Sequence, residues 1–246
     1  MEVSPVYFDW FTRAGDMYCV PGPVAAITGQ RQHLVAKPTR GSDLARLVPE
    51  GTQAFGYRLP ATWSMSPCHG TWSRFRNWAS KNKGLIHPTV EDDGIVPNRW
   101  YKEFVAQGRQ DSMWEMWFIR FCSDNDLFTV YPWIDGGETA VVTAWMERGL
   151  HFDGKNPKPL HAPVSVAAWD AVVARGFPPR TIPLLDWDLS VVSTWTPGQR
   201  LPAPAAVPSQ PALPSESALQ RLGDDVGSPS ESGSDASDLV AKWDAL

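Results

Sequence analysis

Carboxylates that neighbour turns and aromatic residues are the side chains of this chain with the clearest chemical potential. A positioned carboxylate can take a proton from a hydroxyl, and oxygen and imidazole ligands together can hold a divalent cation. Most of the candidates lie on predicted turns or at a predicted helix start, where the backbone could hold a side chain beside a cleft. They are Asp92, Asp93, Asp111, Glu115 and Asp153, together with His151.

Two further acidic patterns have alternative interpretations. The acidic run 91–93 could ligate a divalent cation, but such a run is also typical of an exposed turn. Asp-x-Asp triplets occur at 124–126 and 186–188, and a triplet of this kind can hold a metal that bridges a nucleotide diphosphate. Because two chance occurrences in 246 residues are unremarkable, the triplets alone do not predict a metal site.

Several common catalytic patterns are missing from the chain. It contains no phosphate-binding GxxxxGK[ST] loop, no GxGxxG, no HExxH and no GxSxG, which argues against the most recognisable NTPases, dinucleotide enzymes, zinc proteases and α/β-hydrolases. The three cysteines, Cys19, Cys68 and Cys122, are widely spaced and form no metal-binding pattern. We therefore expect free thiols in a reducing compartment.

Composition and charge narrow the classes of protein. A hydrophobic share of 43% in 246 residues indicates a globular domain with one sizeable core, to which the 13 tryptophans contribute. Residues 201–246 hold seven acids and two bases, and the rest of the chain holds 20 of each. This balance argues against a nucleic-acid partner. The acidic start of the chain and the lack of a long apolar run predict a cytoplasmic protein with no membrane contact.

The chain divides into two regions. Hydrophobic periodicity predicts one globular domain of mixed α/β class over residues 1–196, with a small mixed sheet and packed helices. Residues 197–246 are rich in Pro and Ser, contain many acids and should form a disordered tail. A short helix over 238–246, with Leu239, Trp243 and Leu246 on one face, could bind a protein partner.

The segment 108–133 is the centre of the predicted domain. Trp114, Trp117, Phe118 and Phe121 recur at helical spacing, and Asp111 precedes them at the position of an N-cap. A strand is predicted over 127–133, with Phe128 and Val130 on one side and Leu127, Thr129 and Tyr131 on the other. This strand could pair as a hairpin with a second one over 138–145.

Other segments complete the predicted domain. Residues 17–20 and 24–28 are interpreted as short strands around a Pro/Gly turn. A helix over 71–83 would bury Trp72, Phe75 and Trp78 and expose a basic face. That face is either a solvated surface or a binding site for an anion such as a sugar phosphate.

The order of these segments resembles the acceptor-side half of a GT-A-fold glycosyltransferase. The resemblance rests on the sequence Cys19-Val20-Pro21-Gly22-Pro23 before an apolar strand, on residues 108–111 at a helix start, and on the strand 127–132. It covers roughly residues 17–155. The nucleotide-binding half that this family carries would have to precede Gly22, where few residues stand, so the protein could be a truncated or inactive member.

The resemblance implies roles for individual residues. Asp111 would be the general base of an inverting transfer, and Gln110 would stand where the family usually has Glu. His151, with Asp153, would help to hold Mn²⁺ or Mg²⁺, and the donor would be a nucleotide sugar. Aromatic faces would bind the carbohydrate acceptor, and the candidates are Trp100, Tyr101 and Trp114. The alternative function is a non-enzymatic interaction protein, with the Trp-rich domain as a scaffold and the acidic tail as the partner-binding element.

Overall fold

The fold is built on a six-stranded mixed sheet with helices on both faces. The computed structural model describes residues 2–32, 35–37, 47–61, 64–90, 94–143 and 161–199. In chain order the described elements are β1 (Glu2–Val3), α1 (Tyr7–Tyr18), β2 (Val24–Thr28), β3 (Ala54–Tyr57), β4 (Met65–Pro67), α2 (His69–Asn82), α3 (Val96–Ala106), a 3₁₀ turn (Gln110–Ser112), α4 (Glu115–Asp124), β5 (Phe128–Pro132), a second 3₁₀ turn (Asp135–Gly137), β6 (Thr139–Ala140), β7 (Val142–Thr143), β8 (Ala162–Pro163), α5 (Val166–Ala174), β9 (Ile182–Leu185) and β10 (Val191–Trp195).

The main sheet has the strand order β10-β9-β3-β5-β2-β4. Strand β5 lies parallel to β2 and antiparallel to β3, while β3 lies parallel to β9. The outer pairs, β2 with β4 and β9 with β10, are antiparallel. Parallel and antiparallel pairs therefore share one sheet, and the predicted mixed α/β class is confirmed.

The two central strands are apolar because both faces of the sheet are covered. Every residue of β2 and β5 is buried, as expected for strands between two layers of helices. Phe128 and Val130 pack in one core cluster with residues of α1 and α5. Tyr131 and Leu127 belong to two clusters on the opposite side, formed with α2, α3 and α4. The predicted alternation of side chains along this strand is thus confirmed.

The interpretation of residues 17–20 as a strand was wrong. Residues Tyr7–Tyr18 form helix α1. Its buried positions are Trp10, Ala14 and Tyr18, spaced four residues apart, which brings them to one helical face. The Pro/Gly turn begins only after this helix and leads into β2.

The predicted hairpin between residues 127–133 and 138–145 was also wrong. Both edges of β5 are occupied, by β2 and β3. The chain leaves β5 through the second 3₁₀ turn, in which Gly137 has a φ of +86° and packs directly against the Trp133 ring. The following short strands pair elsewhere, β6 with β8 and β7 with β1.

The prediction of three free thiols was wrong for two of them. Cys19 and Cys68 form a disulfide, with their Cα atoms 5.1 Å apart. Cys19 ends α1, and Cys68 directly precedes α2. Because 49 positions separate these cysteines in the sequence, only their tertiary proximity reveals the pair. Cys122 remains a free thiol and is buried.

A hydrogen bond from Trp169 to Asp9 joins α5 to α1. Trp169 Nε1 donates to Asp9 Oδ2 over 2.6 Å, and Arg13 Nε lies 2.9 Å from Asp9 Oδ1. Burial by itself raises the pKa of this carboxyl. The hydrogen bonds from Trp169 and Arg13, with the positive charge of Arg13, outweigh burial and leave the pKa below its ordinary value.

This lowered pKa predicts a stability change in acid. A carboxyl with a folded pKa below its unfolded pKa stabilises the protein above the unfolded value, and the contribution is lost as the pH falls through the folded value. We expect Asp9→Asn to lower the melting temperature at pH 7, and the difference from wild type to shrink between about pH 5 and pH 2. Calorimetry across this range measures it. A difference that stays constant would contradict a role for the ionised carboxylate.

The structure also bears on the prediction of no membrane contact. Within the ranges that the structure describes, every helix is too short or too polar to cross a bilayer.

Candidate functional site

The candidate site lies around the turn that joins α3 to α4. Strand β5 follows α4 directly and lies parallel to β2. Because α4 ends where β5 begins, the start of α4 points toward the carboxyl ends of these two parallel strands. Ligand sites of open α/β sheets lie at such edges. The turn therefore occupies a part of the fold that is suited to binding.

Asp111 is not the N-cap of the central helix. It lies in the 3₁₀ turn Gln110–Ser112, and α4 begins only at Glu115. Met113, between the turn and the helix, has non-helical backbone angles and is buried in the core. Its burial accounts for the bend that separates Asp111 from the helix, a feature that helical periodicity alone does not reveal.

The Asp111 carboxylate is accessible and lies beside a cation. Its side chain is 83% exposed, and Oδ1 lies 3.5 Å from Nζ of Lys83, itself 68% exposed. Lys83 directly follows α2, so this contact connects two segments that are distant in sequence. Exposed pairs of this kind contribute little to stability. Asp111 therefore contributes little to stability, and its carboxylate is accessible to a ligand.

The three predicted acceptor-binding aromatics have different environments. Tyr101 is buried, and Trp100 is partly buried against the same core cluster. Burial raises the pKa of Tyr101, and the negative charge of Asp111 raises it further. Trp114 is 45% exposed. Of the three, Trp114 is the side chain that offers a ring to solvent.

The Trp114 ring is supported by α2. It meets the Trp72 ring edge to face, with centroids 6.2 Å apart. Trp72 in turn contacts Phe75 and Phe118, at centroid distances of 5.2 and 6.0 Å. A ring fixed in this way loses little conformational entropy when a ligand stacks on it. The sequence alone predicts Trp72 as a core residue.

The remaining predicted site residues give less information. Gln110 is exposed, and its carbonyl oxygen accepts a hydrogen bond from the Met113 backbone. Glu115, in the first turn of α4, is partly buried. His151 and Asp153 lie outside the described residues, as do Asp92 and Asp93. Within the described ranges, no three acidic, histidine or cysteine side chains are grouped to hold a metal ion.

The two Asp-x-Asp triplets meet at a single arginine. Arg58 Nη1 lies 2.6 Å from Asp126 Oδ1, and Arg58 Nε lies 2.8 Å from Asp186 Oδ1. The guanidinium also lies over the Phe128 ring, 4.8 Å from its centroid. These contacts are at the start of β5, at the opposite end of α4 from Asp111. One acid of each triplet is therefore paired with Arg58, and Asp124, the other acid of the first triplet, pairs with Arg120 over 2.8 Å.

The basic side chains of α2 lie on two different flanks of the helix. Arg74 Nη2 donates to Asn125 Oδ1 over 3.1 Å, and Lys83 lies beside Asp111. Arg76 is exposed and follows Trp72 by four residues, which brings both to the same flank of the helix. Lys83 follows Trp72 by eleven residues, or three turns. This spacing is readable from the sequence and would have indicated that Trp72, Arg76 and Lys83 share a surface.

No protein-family model, no curated protein and no solved structure matches the chain.

Proposed function

We propose that the chain is a glycosyltransferase-like protein that transfers a sugar from a nucleotide sugar to an acceptor hydroxyl. The observation that carries the proposal is the accessible Asp111 carboxylate, three residues from the exposed and supported Trp114 ring. Sugar rings present flat C–H faces that pack on aromatic rings, and a nearby carboxylate can accept a proton from a bound hydroxyl.

The proposed transfer uses Asp111 as the general base. Its carboxylate takes the proton of the acceptor hydroxyl as the hydroxyl oxygen attacks the anomeric carbon of the donor. The new glycosidic bond forms as the bond from that carbon to the nucleoside diphosphate breaks, and the diphosphate leaves with the electron pair. Attack opposite the leaving group inverts the anomeric centre. The predicted Mn²⁺ or Mg²⁺ site at His151 and Asp153 stays a prediction.

The test is sugar transfer by the full chain and by Asp111→Asn. Nucleoside diphosphate release is measured with a panel of UDP- and GDP-sugars and oligosaccharide acceptors, with and without Mn²⁺. We expect Asp111→Asn to lower the rate at least about 100-fold, since general-base catalysis contributes about 10²–10⁴-fold. The melting temperature should stay nearly unchanged because the side chain is 83% exposed.

A matched control is Asp170→Asn, which removes an exposed carboxylate from α5 on the other face of the sheet. It should retain full activity. Equal rates for wild type and Asp111→Asn would reject Asp111 as the base. Absence of release with every donor and acceptor would reject the transferase.

The second candidate is a non-enzymatic interaction protein. The observation that favours it is the charge of the tail: residues 201–246 hold seven acids and two bases. In this proposal Leu239, Trp243 and Leu246 contact a protein partner. Deleting 197–246 should then abolish partner binding and leave the melting temperature of the domain unchanged, whereas a transferase would keep its activity after the same deletion.

The disulfide bears on the compartment in which the protein acts. Bonds such as Cys19–Cys68 form and persist in oxidising environments and are rare in the cytosol. The disulfide therefore supports a location in an oxidising compartment, in place of the cytoplasm that the sequence predicted.

A further inference from the structure

We infer that the surface between α2 and α4 binds a carbohydrate that carries negative charge. This inference rests on the proposed function and names the class of its acceptor: an oligosaccharide with carboxylate, phosphate or sulfate groups. The residues that carry it are Trp72 and Trp114, with Arg76 and Lys83 farther along the same flank of α2. We call this set the tryptophan–cation surface.

The aromatic part of the surface is exposed and rigid. Among the described residues, Trp114 and Phe8 are the large aromatic side chains with substantial exposure, 45% and 79%. Phe8 lies on α1 and Trp114 on the opposite face of the sheet. The Trp72 ring holds Trp114 from the side, at 6.2 Å between centroids. A fixed aromatic ring at the surface suits a ligand with flat apolar faces and polar edges, which describes a pyranose.

All the charged side chains of α2 are positive. Helix α2 carries Arg74, Arg76 and Lys81, with Lys83 following, and no acidic residue. Within the described part of the chain, Arg76 has neither an ion-pair partner nor a hydrogen-bond partner. It lines a shallow depression together with Ser73, Asn77 and Ser80, whose side chains add neutral hydrogen-bonding groups. An anionic ligand complements these groups better than a neutral one.

The length of the surface favours an oligosaccharide over a single sugar. Trp72 and Lys83 are eleven residues apart, so their Cα atoms are separated by about 16 Å along the helix axis. The Asp111 carboxylate lies at the Lys83 end, at 3.5 Å. A chain bound along α2 would therefore bring one of its hydroxyl groups toward Asp111, the base of the proposed transfer, while an earlier sugar stacks at Trp114.

A nucleic acid is the other polymer with rings and negative charge. Two observations favour the carbohydrate: the whole chain has a net charge of −5, and Asp111 stands beside Lys83. A phosphate at every residue of a nucleic acid would meet this carboxylate, whereas an oligosaccharide can carry its anionic groups at intervals. Nucleic-acid binding is therefore an outcome of the test that would overturn the inference.

The experiment is calorimetric titration of the full chain with four defined probes. These are a hyaluronan hexasaccharide (carboxylate), a heparin hexasaccharide (sulfate), chitohexaose (neutral) and the oligonucleotide dT6. We expect at least one anionic hexasaccharide to bind about tenfold more tightly than both chitohexaose and dT6. Trp114→Ala should weaken this binding about tenfold, and Arg76→Gln about fivefold.

Two control variants keep the test specific. Phe8→Ala removes an exposed aromatic ring from the opposite face, and Lys81→Gln removes an α2 cation from the flank away from Trp72. Both should bind as wild type does, and equal melting temperatures would show that all variants are folded. Weakening by Lys81→Gln equal to that by Arg76→Gln would mean general charge attraction and overturn the inference.

The remaining outcomes separate this inference from the proposed transferase. Chitohexaose binding as tight as that of the anionic probes would overturn the inference and leave a transferase with a neutral acceptor. dT6 binding as tight as theirs would indicate a polyanion surface and overturn it as well. No binding of any probe would also overturn it, while nucleoside diphosphate release tests the transferase by itself.

Discussion

Replacing both Cys19 and Cys68 with Ser is expected to lower the free energy of unfolding by about 4 kcal/mol. The disulfide closes a loop of 49 residues, and the chain-entropy relation gives about this value for a loop of that length. The bridge connects the end of α1 to the start of α2, the helix that supports Trp114. Urea unfolding of the oxidised wild type, the reduced wild type and the double variant measures the loss.

The thiol count provides an independent check. Burial raises the pKa of the Cys122 thiol far above neutrality, so the native oxidised protein should react with thiol reagents only slowly. After unfolding without reductant, one thiol should react, and with reductant three. Cys122→Ala should leave none before reduction while keeping the bridge. Three reactive thiols without reductant would contradict the pairing.

The second large effect is expected at Trp10. This residue is fully buried, its Nε1 donates to the Thr28 carbonyl over 3.0 Å, and its ring packs against Trp169 and Phe177. Trp10→Ala should lower the free energy of unfolding by about 3–5 kcal/mol, since it removes a fully buried indole between α1, α5 and the sheet. Urea denaturation monitored by circular dichroism measures this change.

Two companion variants separate the sources of the loss. Trp10→Phe keeps much of the ring and removes the donor to Thr28, so a loss of about 1–3 kcal/mol is expected from the lost buried hydrogen bond. Phe8→Ala, on the same helix but 79% exposed, should change stability by less than about 0.5 kcal/mol. A Trp10→Ala loss as small as that of Phe8→Ala would contradict the packing described for this face.

Local pattern was enough to predict much of the sheet and of the helices around it. Strands β2 and β5 have continuous runs of residues that favour extended structure, and α2 has apolar residues at helical spacing. These signals lie within a few residues of one another. They can therefore be recognised without knowing which segments pack together, and the structure confirms the elements within a few positions.

Pairings between distant segments could not be predicted in the same way. Whether β5 forms a hairpin or takes β2 and β3 as neighbours depends on which edges are free once the whole sheet has assembled. The Cys19–Cys68 bond likewise depends on the close approach of two turns. Sequence spacing contains neither fact, because the loops between these segments can close in many ways at similar entropic cost.

The site illustrates the same division. The sequence by itself determined that Asp111 stands three residues before Trp114, where it predicted a helix N-cap, and that Trp72, Arg76 and Lys83 recur along one flank of a helix. Only the tertiary structure decided that this flank faces Trp114 and Asp111, that Asp111 lies in a 3₁₀ turn, that Tyr101 is buried, and that one acid of each Asp-x-Asp triplet pairs with Arg58. The reason is physical: periodicity specifies which side chains share a face, and packing of the core specifies what that face meets.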